Sequence, residues 1–254
     1  RWPEHVPPQL VWRLCSKGIL GYVLFKITSK ANPLVTILSR TSFFLIAAAL
    51  VSTSCVYFNT YYNAQKYFRQ AERSRAEDEK KMIDRGEDPR RALRKPVHKT
   101  DNLYETAARR ANKVLDEHKD SDLVDDTMFL MGRAFYWRRD YIAAARSFSD
   151  LEKNFPDSEF YSEARYWRAL SYEAQRQYSD AQFLYRELFS EGRRDVGSKS
   201  GYRLGEMAYE AEDYVAAAQE YKATIEAFPE AALLPDLWLR YGESIVALED
   251  STRY

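Results

Sequence analysis

The stretch that decides the fold is Met128–Pro156, MFLMGRAFYWRRDYIAAARSFSDLEKNFP. Met128, Met131, Gly132 and Phe135 fall on one helical stripe, and a polar turn follows at Arg139, Asp140 and Tyr141. Ala144, Phe148 and Leu151 then make a second stripe, closed by Phe155, Pro156 and Asp157. Apolar residues at i, i+3, i+4 and i+7 belong to a helix that buries one face. Two such helices with a short turn between them form a hairpin. Proline closes the second helix because it cannot continue the hydrogen-bond ladder.

The same arrangement returns along the chain. Arg165–Leu188 carries Ala169, Tyr172, Tyr178, Ala181, Tyr185 and Leu188, and lacks the closing proline. Tyr202–Pro229 carries Leu204, Gly205, Asp213, Tyr214, Ala217 and Tyr221. Trp238, Tyr241, Gly242 and Ile245 begin a further unit. The small residues Gly132, Ala169, Gly205 and Gly242 are 37, 36 and 37 positions apart. A period in this range means stacked supersecondary units that share a continuous core.

The pattern bulky-x2-bulky-small-x2-aromatic, then small-x3-aromatic, then Pro, resembles the tetratricopeptide repeat (TPR). The resemblance implies an all-α fold, a right-handed superhelical solenoid of TPR-type antiparallel helix hairpins. Repeats of this type are about 34 residues long. The longer period here is expected to come from extended connectors at Pro156–Tyr161 and Ser190–Val196. A divergent first repeat is expected over 55–121. Its helices would be Tyr57–Met82 and Leu103–His118, around a charged insert at 83–101 that holds Gly86, Pro89 and Pro96. The regular repeats then occupy 122–254. The last would have only its first helix, so either the natural chain is longer or this helix caps the stack with exposed apolar surface.

Composition agrees with helices. Only 9 of 254 residues are glycine, against 45% hydrophobic residues for a core. Net charge is zero but unevenly placed. Residues 1–54 carry six cations against Glu4 alone, a net +5, so the remaining 200 carry −5. An acidic body opposes nonspecific nucleic-acid binding. A basic, acid-poor head points to export or membrane insertion.

That head has its own pattern. No Met precedes Met82, and residues 1–39 show no defensible period, so they are expected to be unstructured or upstream sequence. Arg40, the apolar run Phe43–Val51 and the small residues Ser52, Thr53 and Ser54 then lead to Cys55. A basic residue, a short apolar core and small residues before a boundary describe a signal peptide, here 40–54. The Cys after the small residues resembles a lipoprotein signal, in which the Cys55 thiol is lipidated. Ser52 stands where that signal usually has Leu. An uncleaved membrane anchor is the alternative, although a spanning helix needs roughly 20 apolar residues; a third reading is neither. Cys15 and Cys55 are the only cysteines, too few for a disulfide framework.

Shortly after Cys55 comes YFNTYYNAQKYF, Tyr57–Phe68. With the long-period repeats, this segment resembles the BamD-like family of outer-membrane assembly lipoproteins, over about four-fifths of the chain. The resemblance implies a lipid-anchored scaffold on the periplasmic face of the bacterial outer membrane. Periplasmic TPR adaptors of cell division or of the Tol–Pal system share the repeat spacing and are the alternative, with inner-membrane anchoring or a soluble periplasmic location.

In a TPR stack the first helices line a concave surface. The resemblance places Phe129, Arg133, Tyr136, Trp137, Tyr166, Leu170, Tyr202 and Tyr209 on that surface, as a candidate groove for a peptide or helix of a partner protein. Phe129, Tyr166 and Tyr202 share one register position. Tyr offers large contact area with a polar tip, but aromatic stripes at helical spacing also serve as packing. Chemistry-bearing motifs are missing. The histidines are His5, His98 and His118, none at ligand spacing, and there is no phosphate-binding glycine loop or nucleophile elbow. Acid pairs such as Glu77 with Asp78 and Asp125 with Asp126 read as solvated faces. No enzyme, cofactor, metal or small-molecule substrate is expected.

Overall fold

The computed structural model describes residues 59–86, 98–119 and 121–251. The chain divides between Cys55 and Val56 into two units, and the described residues all belong to the second. The expectations for 1–39, for the signal at 40–54 and for Cys55 lie outside the described residues.

The described residues are helical throughout their regular structure. Helix α1 covers 59–83 and is followed by α2 (His98–Glu117). Three hairpins follow: α3 (Val124–Trp137) with α4 (Tyr141–Asn154), α5 (Tyr161–Ala174) with α6 (Tyr178–Ser190), and α7 (Arg194–Glu210) with α8 (Tyr214–Ala227). Helix α9 (Leu234–Ser251) starts the next unit. Each helix packs on its successor, and the first helices of adjacent repeats also touch, α3 on α5 and α5 on α7. The fold is an all-α repeat solenoid. Helix α2 begins at His98, so 98–101, expected inside the charged insert, is helical.

The core runs through the stack as four linked clusters. Ala64, Phe68 and Ala71 of α1 meet Tyr104, Ala107 and Ala111 of α2 and Leu130 and Ala134 of α3. Phe129, Phe148 and Leu151 close on Ala164 of α5. Ala169 and Tyr185 close on Leu204 and Met207 of α7, and Tyr221 and Ile225 close on Leu237 of α9. Each hairpin therefore completes its core with the next repeat's first helix, as nearest-neighbour stacking requires.

Small residues set the closeness of each hairpin. A Cβ at Gly132 would lie 2.6 Å from the Phe148 ring, and one at Gly205 would overlap the Tyr221 ring. Ala169 is fully buried in the same cluster as Tyr185. In α7 the stripe continues, because a Cβ at Gly197 would come 2.5 Å from Phe228, and one at Gly201 would strike Thr224 and Phe189.

The hairpin turns are also alike. Arg139, Arg176 and Glu212 occupy equivalent positions with φ of 64°, 64° and 61°. The amides of Asp140, Gln177 and Asp213 reach back to the carbonyls of Phe135, Tyr172 and Ala208 at 3.0, 2.9 and 3.0 Å, closing the first helix with a left-handed residue. Asp140 and Asp213 then cap α4 and α8, accepting from the amides of Ala143 and Ala216.

Pro156 and Pro229 act as expected. Phe155 and Phe228 before them have nearly identical non-helical backbones, and each is the first residue of a six-residue connector. The second repeat departs from the expected extended connector at Ser190–Val196. Gly192, at φ 69°, closes α6 where the proline is missing, and only 191–193 join it to α7. The extra residues of the period instead extend α7 at its N-terminus, to 17 residues against 14 in α3 and α5.

Charged relays stitch neighbouring repeats. Glu72 accepts from the Tyr104 hydroxyl at 2.5 Å and pairs with Arg133 of the following repeat at 3.1 Å. Glu173 accepts from Tyr185 at 2.9 Å and pairs with Arg203, whose Nε lies 3.2 Å away. Glu206 accepts from Tyr221 at 2.6 Å and pairs with Arg240 at 2.5 Å. Phe148 has no hydroxyl, and its junction is aromatic instead. Trp167 packs on Phe148 at 6.4 Å and on Tyr136 at 5.1 Å between ring centroids.

Candidate partner groove

The first helices α3, α5 and α7 surround an open cavity of about 740 Å³. Arg133 and Tyr136 come from α3. Glu163, Tyr166, Trp167, Leu170, Glu173 and Ala174 come from α5, and Val196, Lys199, Tyr202, Arg203 and Glu210 from α7. Tyr178 and Leu233 complete the rim. One-turn spacing on each helix explains the set: Glu163, Tyr166 and Leu170 share one face of α5, as Val196, Lys199 and Arg203 do on α7.

Of the residues expected on this surface, Arg133, Tyr136, Tyr166, Leu170 and Tyr202 line the cavity together. Phe129, Trp137 and Tyr209 are not among its lining residues. Phe129 is 6% exposed and stacks on Phe160 at 4.8 Å, because its side of α3 faces the following connector. Trp137 turns toward α1, with the Arg75 guanidinium 4.1 Å above its ring. Tyr209 packs edge-on against Tyr214 at 5.2 Å and under Arg240 at 4.5 Å.

The shared register of Phe129, Tyr166 and Tyr202 has a packing role. Their ring centroids lie 6.0, 5.9 and 6.0 Å from Phe148, Tyr185 and Tyr221, the aromatic of the second helix in each hairpin. Tyr166 and Tyr202 therefore serve two purposes, bracing the hairpin and presenting an edge to the cavity. Burial pushes the Tyr166 phenol up to about 12, with Glu173 adding to the rise and Arg203 opposing it. Burial likewise raises Tyr202 and Tyr136. These phenols are neutral donors at physiological pH.

Val196, Lys199 and Arg203 were not singled out from sequence. Val196 and Lys199 depend on the early start of α7, and Gly192 was the only local signal that α6 closes there without a proline. Lys199 stands 4.0 Å from Glu163, and Arg203 pairs with Glu173. Burial alone would lower the Arg203 pKa, but the adjoining Glu173 carboxylate raises it overall, which keeps the guanidinium charged. The α7 cations facing the cavity are thus matched by acids on α5, and Arg133 is matched by Glu72 on α1. What remains for a partner is the apolar and aromatic strip of Tyr166, Leu170, Ala174 and Tyr202 between these pairs.

Among the described residues, no three His, Cys, Asp or Glu side chains gather to hold a metal ion, and no helix is long and apolar enough to cross a membrane. The tetratricopeptide repeat family model matches residues 126–158 and 163–191, which are the α3–α4 and α5–α6 hairpins. A search of curated proteins finds no match to the sequence. Among solved structures, BtubC (BKLC) from P. vanneervenii is similar in fold, with a TM-score of 0.50 and 14% identity, over 74% of this chain and 85% of that one. The α7–α8 hairpin repeats the small-under-aromatic geometry outside the matched segments. The chain carries tetratricopeptide repeats within an all-helical solenoid.

Proposed function

We propose that this chain is a non-enzymatic TPR scaffold of the bacterial envelope that holds a protein partner in the groove between α3, α5 and α7. The observation that carries the reading is the groove: an apolar, aromatic strip flanked by charges already paired across α5 and α7. Such a strip suits the apolar side chains of an extended peptide or an amphipathic helix, since aromatic and aliphatic pockets supply most of the binding energy.

The envelope location is part of the proposal and rests on sequence. The basic head, the apolar run Phe43–Val51 and the small residues before Cys55 support a lipid anchor at Cys55. The resemblance of residues 57–68 to BamD-like lipoproteins supports a periplasm-facing role in outer-membrane protein assembly.

Two measurements test the proposal. Ala174→Arg with Lys199→Glu fills and recharges the groove from an exposed and a half-buried position. It is expected to lose partner capture in envelope pull-downs while melting as the wild type does; retained capture would refute groove binding. Palmitate labelling with fractionation tests the anchor. Label on the wild type and none on Cys55→Ser is expected, and an unlabelled wild type would refute lipidation.

A further inference from the structure

Tyr141, Tyr178 and Tyr214 open the second helices of the three hairpins, yet only two of them share the same surroundings. Tyr141 meets Tyr136 edge-on at 5.4 Å between ring centroids, and Tyr214 meets Tyr209 at 5.2 Å. Both are half-buried. In the middle hairpin the counterpart of Tyr136 and Tyr209 is Glu173, which is engaged by Tyr185 and Arg203. Tyr178 is therefore 51% exposed, and among the described residues no aromatic ring or cation lies against it. Its ring lines the cavity between α3, α5 and α7.

Glu210 lines the same end of that cavity. It is the last residue of α7, where α3 and α5 end in Trp137 and Ala174. A carboxylate there meets the negative end of the helix dipole, so helix stability does not account for it. Neither α5 nor α7 has a basic residue in its last turn. The lining cations Lys199, Arg203 and Arg133 pair with Glu163, Glu173 and Glu72. Arg139 and Arg176, on the neighbouring turns, are outside the lining. Among the described residues the Glu210 carboxylate has neither an ion pair nor a hydrogen bond, and Glu210 is exposed. An uncovered tyrosine ring, an unmatched carboxylate and two helix C-termini together favour a cation.

We propose that the groove takes a basic peptide segment whose arginine or lysine seats its cation between the Glu210 carboxylate and the Tyr178 ring. Arginine suits the place best, since its plane stacks on an aromatic face while its fork meets a carboxylate. The segment also carries an apolar residue two positions away, at the level of Leu170. Leu170 corresponds in register to Glu206, one turn before Glu210. One turn rises about 5.4 Å, close to the roughly 6.6 Å that two residues of extended chain span, and residues two apart face the same side. The proposal rests on the groove being the partner site and adds the chemistry of the occupant. Charge complementarity selects that occupant, because an acidic segment would place a second unpaired carboxylate beside Glu210.

The test selects a random-peptide phage library on the full chain in three forms: wild type, Ala174→Arg and Glu210→Arg. Peptides enriched on the wild type are expected to share Arg or Lys two positions from an apolar residue, and to be lost on Ala174→Arg. On Glu210→Arg the enriched residue at that position is expected to become Asp or Glu, a change of preference that a purely structural role would not produce. A fluorescein-labelled copy of the enriched peptide should bind roughly 3-fold more weakly to Glu210→Gln and to Tyr178→Leu, with melts like the wild type because both side chains are exposed. Peptides that Ala174→Arg displaces but that carry no cation, or carry acids, would overturn the inference and leave groove binding intact. So would an unchanged cation preference on Glu210→Arg. If Ala174→Arg displaces no peptide, the groove itself fails and the inference fails with it.

Discussion

Arg240 lies 2.5 Å from the Glu206 carboxylate across a repeat boundary, with the two side chains only 12% and 5% exposed. The pair joins α9 to the α7–α8 hairpin, and Tyr221 donates to the same carboxylate. Burying two charges is costly unless both are paired and hydrogen-bonded. The network meets that condition and fixes the register between repeats.

Removing one partner strands the other. Arg240→Met is expected to lower stability by about 3 kcal/mol, whereas Arg240→Met with Glu206→Met recovers much of the loss. Tyr221→Phe costs about 1 kcal/mol, since Glu206 keeps Arg240. Urea melts of the single and double variants measure the coupling, and an additive double variant would show that the pair is not a unit.

The small residues make opposite predictions at equivalent positions. Gly205→Ala forces a methyl group into the Tyr221 ring and should cost about 2 kcal/mol. Gly242→Ala meets open space and should gain up to about 1 kcal/mol from helix propensity. Thermal melts of the two variants should therefore move in opposite directions.

The left-handed turn residues carry a removable strain. Arg176 and Glu212 are exposed, with φ of 64° and 61°, which L side chains disfavour. Arg176→Gly and Glu212→Gly should each stabilise by about 0.5 kcal/mol, the relief of strain exceeding the added unfolded-state entropy. Shifts in the urea midpoint at unchanged slope would measure this.

Buried phenols govern the alkaline limit. Burial holds Tyr104, Tyr136, Tyr166, Tyr185 and Tyr221 above the ordinary value of 10.0. A folded pKa raised above the unfolded one gives stability that is complete below the unfolded value and disappears as pH climbs through the folded value. The denaturant midpoint should thus hold its phenol contribution to about pH 9 and fall beyond pH 10. Tyr166, pushed up to about 12, contributes between those two values, so Tyr166→Phe should flatten the fall in that window.

Much of the fold was legible because each repeat states the same rule. Gly132, Ala169 and Gly205 marked the hairpin centres, and Phe148, Tyr185 and Tyr221 marked their partners. The start of α7 was not legible, because Gly192 replaced proline as the stop and α7 gained residues that read as a connector. The groove was half legible. Helical register put Arg133, Tyr136, Tyr166, Leu170 and Tyr202 on one surface, but it could not show that Trp137 turns to Arg75 or that Phe129 stacks on Phe160. Those outcomes depend on neighbouring repeats, as do the Tyr–Glu–Arg relays, whose bonded members lie 12 to 61 positions apart along the chain, farther than any local pattern spans.

The most direct test of groove binding is site-specific photocrosslinking of the full chain in cells. A photoreactive amino acid replaces Ala174 in the groove or Phe183, which is 62% exposed and outside the groove lining. A discrete protein adduct from position 174, absent from position 183 and diminished by Lys199→Glu, is the predicted result. No adduct at 174, or the same adduct from both positions, would contradict it.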